Sequence, residues 1–269
     1  GIVNVTPDSF SDGGRFLGRT EAVDQGLRLA AEGADIIDVG GESTRPYSEG
    51  VSVEEEIRRV VPVIAELAGR IRAPISIDTT KAAVARRALE AGAAMINDIS
   101  ALRLEPALAE VAVEFGVPVV LMHMRGEPRT MQVAPRYDDL VGEIGAFLRQ
   151  AADDAERRGV PRERLILDPG IGFGKTAEHN LQLIGRLSEF AGLGLPLLVG
   201  PSRKSFIRRL VKPEGVEDIP PDLPAVETGT LAAVAASVLN GAHIVRVHDV
   251  ASTAAAVKVA DAIRKSVGI

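Results

Sequence analysis

The sequence predicts an α/β protein in which eight parallel strands, each followed by a helix, close into a single (β/α)8 TIM barrel. Short apolar runs alternate with amphipathic stretches of about a dozen residues along the whole 269-residue chain. Continuous apolar strands between helices are typical of parallel strands that are covered on both sides. Eight such units in a chain of this length favour a closed barrel over an open sheet.

The predicted strands are 2–5, 35–39, 74–77, 95–98, 118–122, 165–168, 195–199 and 243–247. The predicted helices are 20–32, 53–70, 81–91, 105–115, 137–158, 177–191, 229–240 and 252–265. Most of the intervening helices are followed by a glycine, the usual left-handed residue at a helix C-terminus. The proline-rich stretch 212–226 is predicted to be a loop within the seventh unit. No linker or second domain is apparent, so residues 1–269 are expected to form one domain.

Composition excludes several functional classes. No apolar run approaches the roughly 20 residues of a membrane helix, and no signal segment opens the chain. The chain has no cysteine, which suits a cytoplasmic enzyme without disulfides or thiolate metal ligands. The net charge of −6 argues against nonspecific binding of nucleic acid. The sequence begins at Gly1, directly at the first predicted strand, so we expect the natural chain to begin earlier.

Polar residues follow almost every predicted strand, at the barrel end where chemistry is expected. They are Asn4, Asp38, Asp78, Asn97, His123, Asp168, Arg246 and His248. A single strand-end Asp or Asn could equally cap the next helix, but so many at one barrel mouth favour a ligand site. Alternation turns Asp98 away from Asn97, which indicates a structural role, and it leaves Asp38 ambiguous. His179 is expected on a helix surface.

Two loops have compositions that suit ligands better than packing. Residues 4–14 and 40–46, after the first and second strands, are rich in hydroxyl groups, carboxylates and glycine. Long loops at a barrel mouth commonly act as mobile lids. After the seventh strand, residues 200–205 precede a predicted helix start at Ser205, which would aim free backbone N–H groups into the mouth. Arg203, Lys204, Arg246 and His248 add positive charge there, so we expect an anion on that side.

Other sequence motifs for nucleotide binding, zinc binding and nucleophilic catalysis are absent, because the residues do not have the required spacing. The glycines of 170–176 match neither a nucleotide P-loop nor a dinucleotide fingerprint. The four histidines have no zinc-binding spacing, and no nucleophile elbow is present.

The chain resembles the dihydropteroate synthases nearly from end to end. The resemblance rests on residues 4–14, 41–46, 76–79, 97–100, 122–124, 167–175, 202–205 and 246–249. Each block alone is weak evidence, but all of them in this order and spacing are very specific. The resemblance implies condensation of 6-hydroxymethyl-7,8-dihydropterin diphosphate with p-aminobenzoate, giving 7,8-dihydropteroate and pyrophosphate. It also implies Mg2+ as cofactor, a homodimer, inhibition by sulfonamides, and partners that are small molecules only.

The resemblance also implies a role for each site residue. The pterin would be bound by Asp78, Asn97, Asp168, Lys204 and Arg246. The diphosphate would contact Asn4, Arg246 and His248, with Mg2+ held by Asn4 and Asp12. Thr44, Arg45, Pro46, Phe173 and Ser205 would frame the p-aminobenzoate pocket. Asn4, Asp12, Lys204 and Arg246 are the expected catalytic residues, and a dissociative path is expected.

Two alternatives stay open at this point. A pterin-binding methyltransferase barrel would share the Asp and Asn strand ends but would not need residues 202–205 or the two loops. A non-catalytic relative would be expected to have lost Asp12, Lys204 or Arg246, and all three are present. The chain departs from the family pattern at Ala101, in the length of 212–227, and at Glu227, where a basic residue is frequent. These departures put in doubt the local loop shape and subunit contacts.

Overall fold

The computed structural model describes residues 1–5, 15–43, 50–126, 131 and 134–268, with the backbone alone for 15–17. The strands are β1 (Ile2–Asn4), β2 (Ile37–Gly40), β3 (Ile75–Asp78), β4 (Met95–Asp98), β5 (Val119–Met122), β6 (Leu165–Asp168), β7 (Leu198–Val199) and β8 (Ile244–Val245). The α-helices are α1 (Arg15–Ala31), α2 (Val53–Ala68), α3 (Ala82–Glu90), α4 (Leu108–Phe115), α5 (Leu140–Arg157), α6 (Ala177–Gly185), α7 (Ser205–Val211), α8 (Pro224–Leu239) and α9 (Val250–Ser266).

The strands form the predicted TIM barrel. β1 to β6 pair in chain order, β7 pairs with β8, and every pairing is parallel. Two backbone bonds complete the ring: Leu167 N–H donates to Pro196 O at 2.9 Å, and Ile2 N–H donates to Val247 O at 3.0 Å. All strand C-termini therefore face one mouth.

The barrel has two apolar regions. Inside it, Met95, Val120 and Leu198 cluster with the partly buried Ile36, Ile166 and Ile244. Between the strands and the surrounding helices lies a much larger core that includes Leu29, Ile64, Ile77 and Leu121. Apolar side chains line the interior below the strand ends, and in barrels of this kind the chemistry is carried out at the mouth. No helix in the described ranges is long and apolar enough to cross a membrane.

Helix boundaries follow local capping. Ser52, Asp139 and Asp249 accept from backbone N–H groups at the starts of α2, α5 and α9. The glycines expected after helices, Gly33 and Gly116 among them, do have positive φ. His179 lies near the surface as expected, where its ring forms a capping box with Thr176 at the start of α6.

Two predicted boundaries are wrong. The loop predicted for 212–226 ends earlier, because Pro224 is the first residue of α8, where a proline is favoured since that N–H needs no helical partner. The helix predicted for 177–191 is broken after Gly185, and a 3-10 helix, Leu187–Leu193, follows it. α7 begins at Ser205, as predicted.

Candidate active site

The C-terminal ends of β1 to β4 lie side by side at the mouth of the barrel. The parallel register pairs Asn4 with Gly40, Gly40 with Asp78, and Asp78 with Asn97. Side chains in such a row point the same way. Glycine in the second position leaves space beside Asp78, because a Cβ on Gly40 would lie 3.4 Å from the Asp78 Cβ. The sequence-predicted residues Asn4, Asp78 and Asn97 are therefore neighbours.

Arg246 crosses the barrel to bind two carboxylates. Its Nε donates to Asp38 Oδ2 at 2.6 Å and its Nη2 to Asp78 Oδ2 at 2.8 Å. The same Asp38 oxygen accepts from Asn97 Nδ2 at 3.2 Å. Burial works against the charge on Arg246, but Asp38 and Asp78 outweigh it and raise the pKa of Arg246. Burial raises the pKa of Asp78 to about 7, against the opposing charge of Arg246.

Asp168 is a buried acceptor at the end of β6. Its Oδ1 accepts from Gly170 N–H at 2.6 Å, which fixes the carboxylate orientation. Burial raises the pKa of Asp168 to about 6, although that hydrogen bond and the charges of Lys175, Lys204 and Arg246 oppose the shift. The carboxylate is therefore mainly ionised at neutral pH and can accept two hydrogen bonds from a planar ligand.

Lys204 and Phe173 form the opposite wall. Lys204 Nζ lies 4.1 Å from the centre of the Phe173 ring, within cation–π range. Burial and the charge of Arg246 lower the pKa of Lys204 to about 8. Gly172 makes this position possible, because its φ is +85° and a Cβ there would lie 2.8 Å from Lys204 Cδ.

A second lysine is buried behind Asp168. Lys175 Nζ lies 3.0 Å from His123 Nδ1 and donates to Phe173 O at 3.0 Å. Burial lowers the pKa of His123 to about 2, so its ring is neutral and accepts from Lys175. Lys175 thus lies close enough to Asp168 for its charge to oppose the rise in the pKa of that carboxyl.

The segment after β7 is held by α8. Arg203 has a φ of 59°, its Nε donates to Glu227 Oε1 at 2.5 Å, and its backbone N–H donates to Thr230 Oγ1 at 3.2 Å. Arg203 therefore adds less positive charge on this side than the sequence indicates, because it pairs with Glu227. Ser202 Oγ lies 2.9 Å from His248 Nδ1 and orients that ring.

The structure thus brings together much of what the sequence predicts at the mouth. Asn4, Asp78 and Asn97 share the row, Arg246 binds Asp78, Lys204 lies against Phe173, and Ser205 begins α7. Asp12, Thr44, Arg45 and Pro46 lie outside the described residues, as do most residues of the two long loops. The interpretation of Asp98 as structural holds, because its carboxylate accepts from the backbone N–H groups of Ser100 and Leu102.

Sequence reasoning left the role of Asp38 ambiguous and gave no role at the site to Lys175 or Glu227. Asp38 was ambiguous because no strand pattern shows that it shares Arg246 with Asp78. Lys175 carries only the signal of the glycine-rich turn 170–174 before it. Glu227 was interpreted only as a departure from the family's sequence pattern, whereas in the structure it pairs with Arg203.

The described residues contain no group of three His, Cys, Asp or Glu side chains that could hold a metal ion. The oxygen of the Asn4 side chain is a hard donor of the type that Mg2+ prefers. Mg2+ commonly keeps several waters and takes only one or two protein ligands together with substrate phosphate oxygens. A site of that kind is compatible with Asn4 at the mouth.

Comparison with known proteins gives consistent matches. The model of the family described as "Pterin binding enzyme" matches residues 1–248. A dihydropteroate synthase of Synechocystis is 50% identical over 263 residues, which cover 98% of this chain and 89% of that protein.

Two solved structures of Xanthomonas albilineans dihydropteroate synthase are also similar. The structure with 4-aminobenzoic acid has a TM-score of 0.89 and 47% identity, covering 98% of this chain and 92% of that one. The structure in complex with 7,8-dihydropteroate has a TM-score of 0.86 and 45% identity, with the same coverage. At this identity the likeness extends beyond the fold.

Proposed function

This chain belongs to the dihydropteroate synthases among the pterin-binding enzymes, and from that premise we propose how its residues carry out the reaction. The enzyme is a transferase that joins 6-hydroxymethyl-7,8-dihydropterin diphosphate to p-aminobenzoate and releases pyrophosphate. The observation that carries the assignment of the site is the buried Asp168 at the same mouth as Asp78 and Asn97.

We propose that the pterin ring lies across these three side chains. A pterin presents its 2-amino group and N3–H side by side, and the Asp168 carboxylate can accept from both. Asp78 and Asn97 would pair with the other ring nitrogens, and Lys204 would donate to the O4 and N5 side. Lys204 is supported in that role by its place over Phe173, 4.1 Å from the ring centre.

The diphosphate would lie toward Asn4, Arg246 and His248. Ser202 accepts from the backbone N–H of His248 at 3.3 Å and contacts its ring nitrogen, so the histidine is held in place. We propose Mg2+ as the cofactor, held by Asn4, by Asp12 and by the diphosphate itself. When bound, it would neutralise charge on the leaving group.

The p-aminobenzoate would lie between Phe173, Ser205 and the segment that contains Thr44, Arg45 and Pro46. Phe173 is nearly buried, and Ser205 is exposed at the start of α7. An aromatic wall beside an exposed hydroxyl suits a flat ring with a polar end.

We propose a dissociative path for the bond changes. The C–O bond between the pterin methylene and the diphosphate breaks, and its electron pair leaves with pyrophosphate. The electron-rich pterin stabilises the positive methylene, and the neutral aniline nitrogen then bonds to it and loses a proton to water. The residues of this chain orient both rings and shelter the cation from water before the amine reacts. No strong general base is needed, because the amine is already neutral at pH 7.

The test is a coupled assay of purified protein with both substrates and Mg2+, measuring pyrophosphate and dihydropteroate together. Equimolar formation of the two products supports the proposal, and we expect loss of activity with a chelator and recovery with Mg2+. Pterin binding without pyrophosphate release would instead support a non-catalytic or methyltransferase role.

We also propose that residues 1–269 act as one domain, in a cytoplasmic homodimer. An exposed apolar stripe along α9 and the residue that follows it supports a subunit contact: Val259 and Ile263 of α9 and the C-cap Val267 are 61%, 47% and 62% exposed. Analytical ultracentrifugation of the wild type and of Ile263→Glu tests this, because charge on a subunit contact should yield monomers. The lack of cysteine suits a reducing compartment.

A further inference from the structure

Asn180 is a buried amide on the packed side of α6. It is 2% exposed, and it shares this side of the helix with Leu183 and Ile184, three and four residues further on. Both of those residues belong to the large apolar core around the strands. Burying an amide costs free energy unless its polar atoms are hydrogen-bonded. Asn180 therefore needs specific partners at a position where an apolar side chain would pack well.

The amide of Asn180 bridges two points of the chain just before α6. Its Oδ1 accepts from the backbone N–H of Gly172 at 2.7 Å, and its Nδ2 donates to Thr176 O at 2.7 Å. One partner is a donor and the other an acceptor, so both bonds form only with the amide in this orientation. The side chain thus ties the glycine-rich turn, residues 170–174, to the N-cap of α6.

The glycine-rich turn has little stiffness of its own. Gly170, Gly172 and Gly174 have positive φ, at 72°, 85° and 63°, and glycine loses more conformational freedom on folding than any other residue. Neighbouring backbone leaves no room for a stiffer residue at either end. A Cβ on Gly170 would lie 1.9 Å from His123 O, and one on Gly174 would lie 2.6 Å from Arg125 O. The position of the turn therefore depends on hydrogen bonds from outside it.

Side chains bind the backbone of the turn at its start, middle and end. Asp168 Oδ1 accepts from Gly170 N–H at the start, and the Tyr137 hydroxyl donates to Gly174 O at 2.9 Å at the end. Asn180 binds the middle. Asp168 is also the proposed acceptor of the pterin edge, whereas Asn180 holds the turn from the side of α6.

The middle of the turn is the part that contacts Lys204. A Cβ on Gly172 would lie 2.8 Å from Lys204 Cδ, so the backbone here lies directly against the lysine stem. The next residue, Phe173, has its ring centre 4.1 Å from Lys204 Nζ. Two neighbouring residues of the turn thus support the stem and the ammonium of Lys204, and a displacement of the turn would displace the lysine.

We propose that Asn180 is a positioning residue that fixes the glycine-rich turn and thereby holds Lys204 in place for the pterin. The proposal rests on the proposed function, in which Lys204 donates to the O4 and N5 side of the pterin ring. Asn180 touches no substrate and acts through Gly172 and Phe173. Its bonds suit the setting of a geometry better than the gain of stability, because each largely replaces a bond that the amide would make with water.

The first test needs no substrate. Amide hydrogen exchange of the free protein, resolved by NMR, is compared for wild type, Asn180→Ala and Gln182→Ala, the last removing an exposed amide from the same helix. We expect Gly172 N–H to exchange about tenfold faster in Asn180→Ala, because its acceptor is lost. Asn180→Asp, which keeps an oxygen acceptor, should stay within about threefold of wild type. Gln182→Ala should match the wild type.

The second test is a double-mutant cycle with Lys204. Calorimetry measures the affinity for the dihydropterin diphosphate in wild type, Asn180→Ala, Lys204→Met and the double variant. We expect Asn180→Ala to weaken binding by about fivefold or more when Lys204 is present, and by less than about twofold when it is methionine. Lys204→Met keeps Asp78, Asn97 and Asp168, so its binding should remain measurable. A general loss of stability would instead weaken binding equally in both backgrounds.

Three results would overturn the proposal: unchanged exchange at Gly172 in Asn180→Ala, exchange in Asn180→Asp as fast as in Asn180→Ala, or an equal loss of affinity in the two Lys204 backgrounds. Asn180→Leu, which fills the space of the amide with apolar atoms, replaces Asn180→Ala if the smaller side chain leaves the protein unfolded. A wild-type protein that does not bind the dihydropterin diphosphate would refute the proposed function instead. In that case the exchange measurement still decides whether Asn180 holds the turn.

Discussion

Lys175 and His123 form a buried pair in which Lys175 Nζ lies 3.0 Å from His123 Nδ1. Lys175 is 3% exposed and His123 is 6% exposed, so neither group is well solvated. Burial lowers the pKa of Lys175 to about 7, partly offset by the negative charge of Asp168. The lysine therefore changes charge in a pH range that is easy to reach by experiment.

We expect Lys175→Met to change the pH dependence of stability. Between about pH 7 and the ordinary lysine value of 10.5, the unfolded chain binds more protons at this residue than the folded one. The contribution of Lys175 to the free energy of unfolding is therefore complete above pH 10.5 and is lost as the pH falls to about 7. The free energy of unfolding of the wild type should therefore increase relative to that of the variant as the pH rises, by at most about 1.4 kcal/mol per pH unit.

Urea unfolding at pH 7, 8 and 9 measures this difference. Lys258→Met, which removes a solvated lysine from α9, is the matched control and should give a profile parallel to the wild type. A constant difference between wild type and Lys175→Met over this range would show that the lysine stays fully charged in the fold.

Asp168→Asn should weaken binding of the dihydropterin diphosphate by roughly 2–4 kcal/mol. The buried two-donor edge of the ring would lose its charged acceptor and face an amide N–H instead. Isothermal titration measures the affinity, with the exposed Asp222→Asn as the control. Affinity close to wild type would mean that the pterin edge is bound elsewhere.

Asp38→Asn tests the residue whose role the sequence left ambiguous. Asp38 Oδ2 accepts from both Arg246 and Asn97, and an amide cannot replace the charge that holds the guanidinium. We expect kcat/KM to fall by roughly 10- to 150-fold, the effect of losing one charged hydrogen bond of about 1.5–3 kcal/mol. Steady-state kinetics measure the loss, and activity within twofold of wild type would show that Asp78 alone orients Arg246.

Gly172→Ala should displace Lys204. The left-handed backbone at Gly172 disfavours any side chain, at roughly 1–2 kcal/mol, and the new Cβ would overlap the lysine stem at Cδ. We expect lower stability together with weaker binding of the pterin substrate. Gly185→Ala in α6 is the matched control, because a Cβ there meets nothing within 4 Å. Gly185→Ala should leave the free energy of unfolding unchanged or raise it by up to about 1 kcal/mol. Equal changes in stability and in pterin affinity for the two variants would contradict the packing argument.

The strand pattern predicted the barrel well because parallel strands have continuous apolar sequences and a two-residue alternation. Asn4, Asp78, Asn97 and Asp168 could be placed at one mouth before any coordinates because each lies at the C-terminal end of a predicted strand. Helix starts were harder: Pro224 was interpreted as a loop residue, although proline is also favoured in the first turn of a helix.

Contacts between distant residues could not be predicted from local pattern. Asp38 and Arg246 are separated by 208 positions, and nothing near either residue indicates the other. The pairing of Arg203 with Glu227 is of the same kind, since it depends on how α8 packs beside the segment after β7. Periodicity assigns residues to a face, whereas ion pairing depends on distances that only the closed barrel fixes.

The two carboxylates that bind Arg246 affect which anions can compete with the substrate. The guanidinium of Arg246 already binds Asp38 and Asp78, which offset its positive charge, so a lone inorganic anion gains little by approaching it. Free phosphate and the triphosphates of nucleotides should therefore compete poorly, even where they are far more abundant than the substrate. A pterin diphosphate also binds Asp168 through its ring, and these additional contacts allow it to compete with Asp38 and Asp78 for Arg246. We therefore expect the site to select the pterin substrate over simple anions before any ligand is bound.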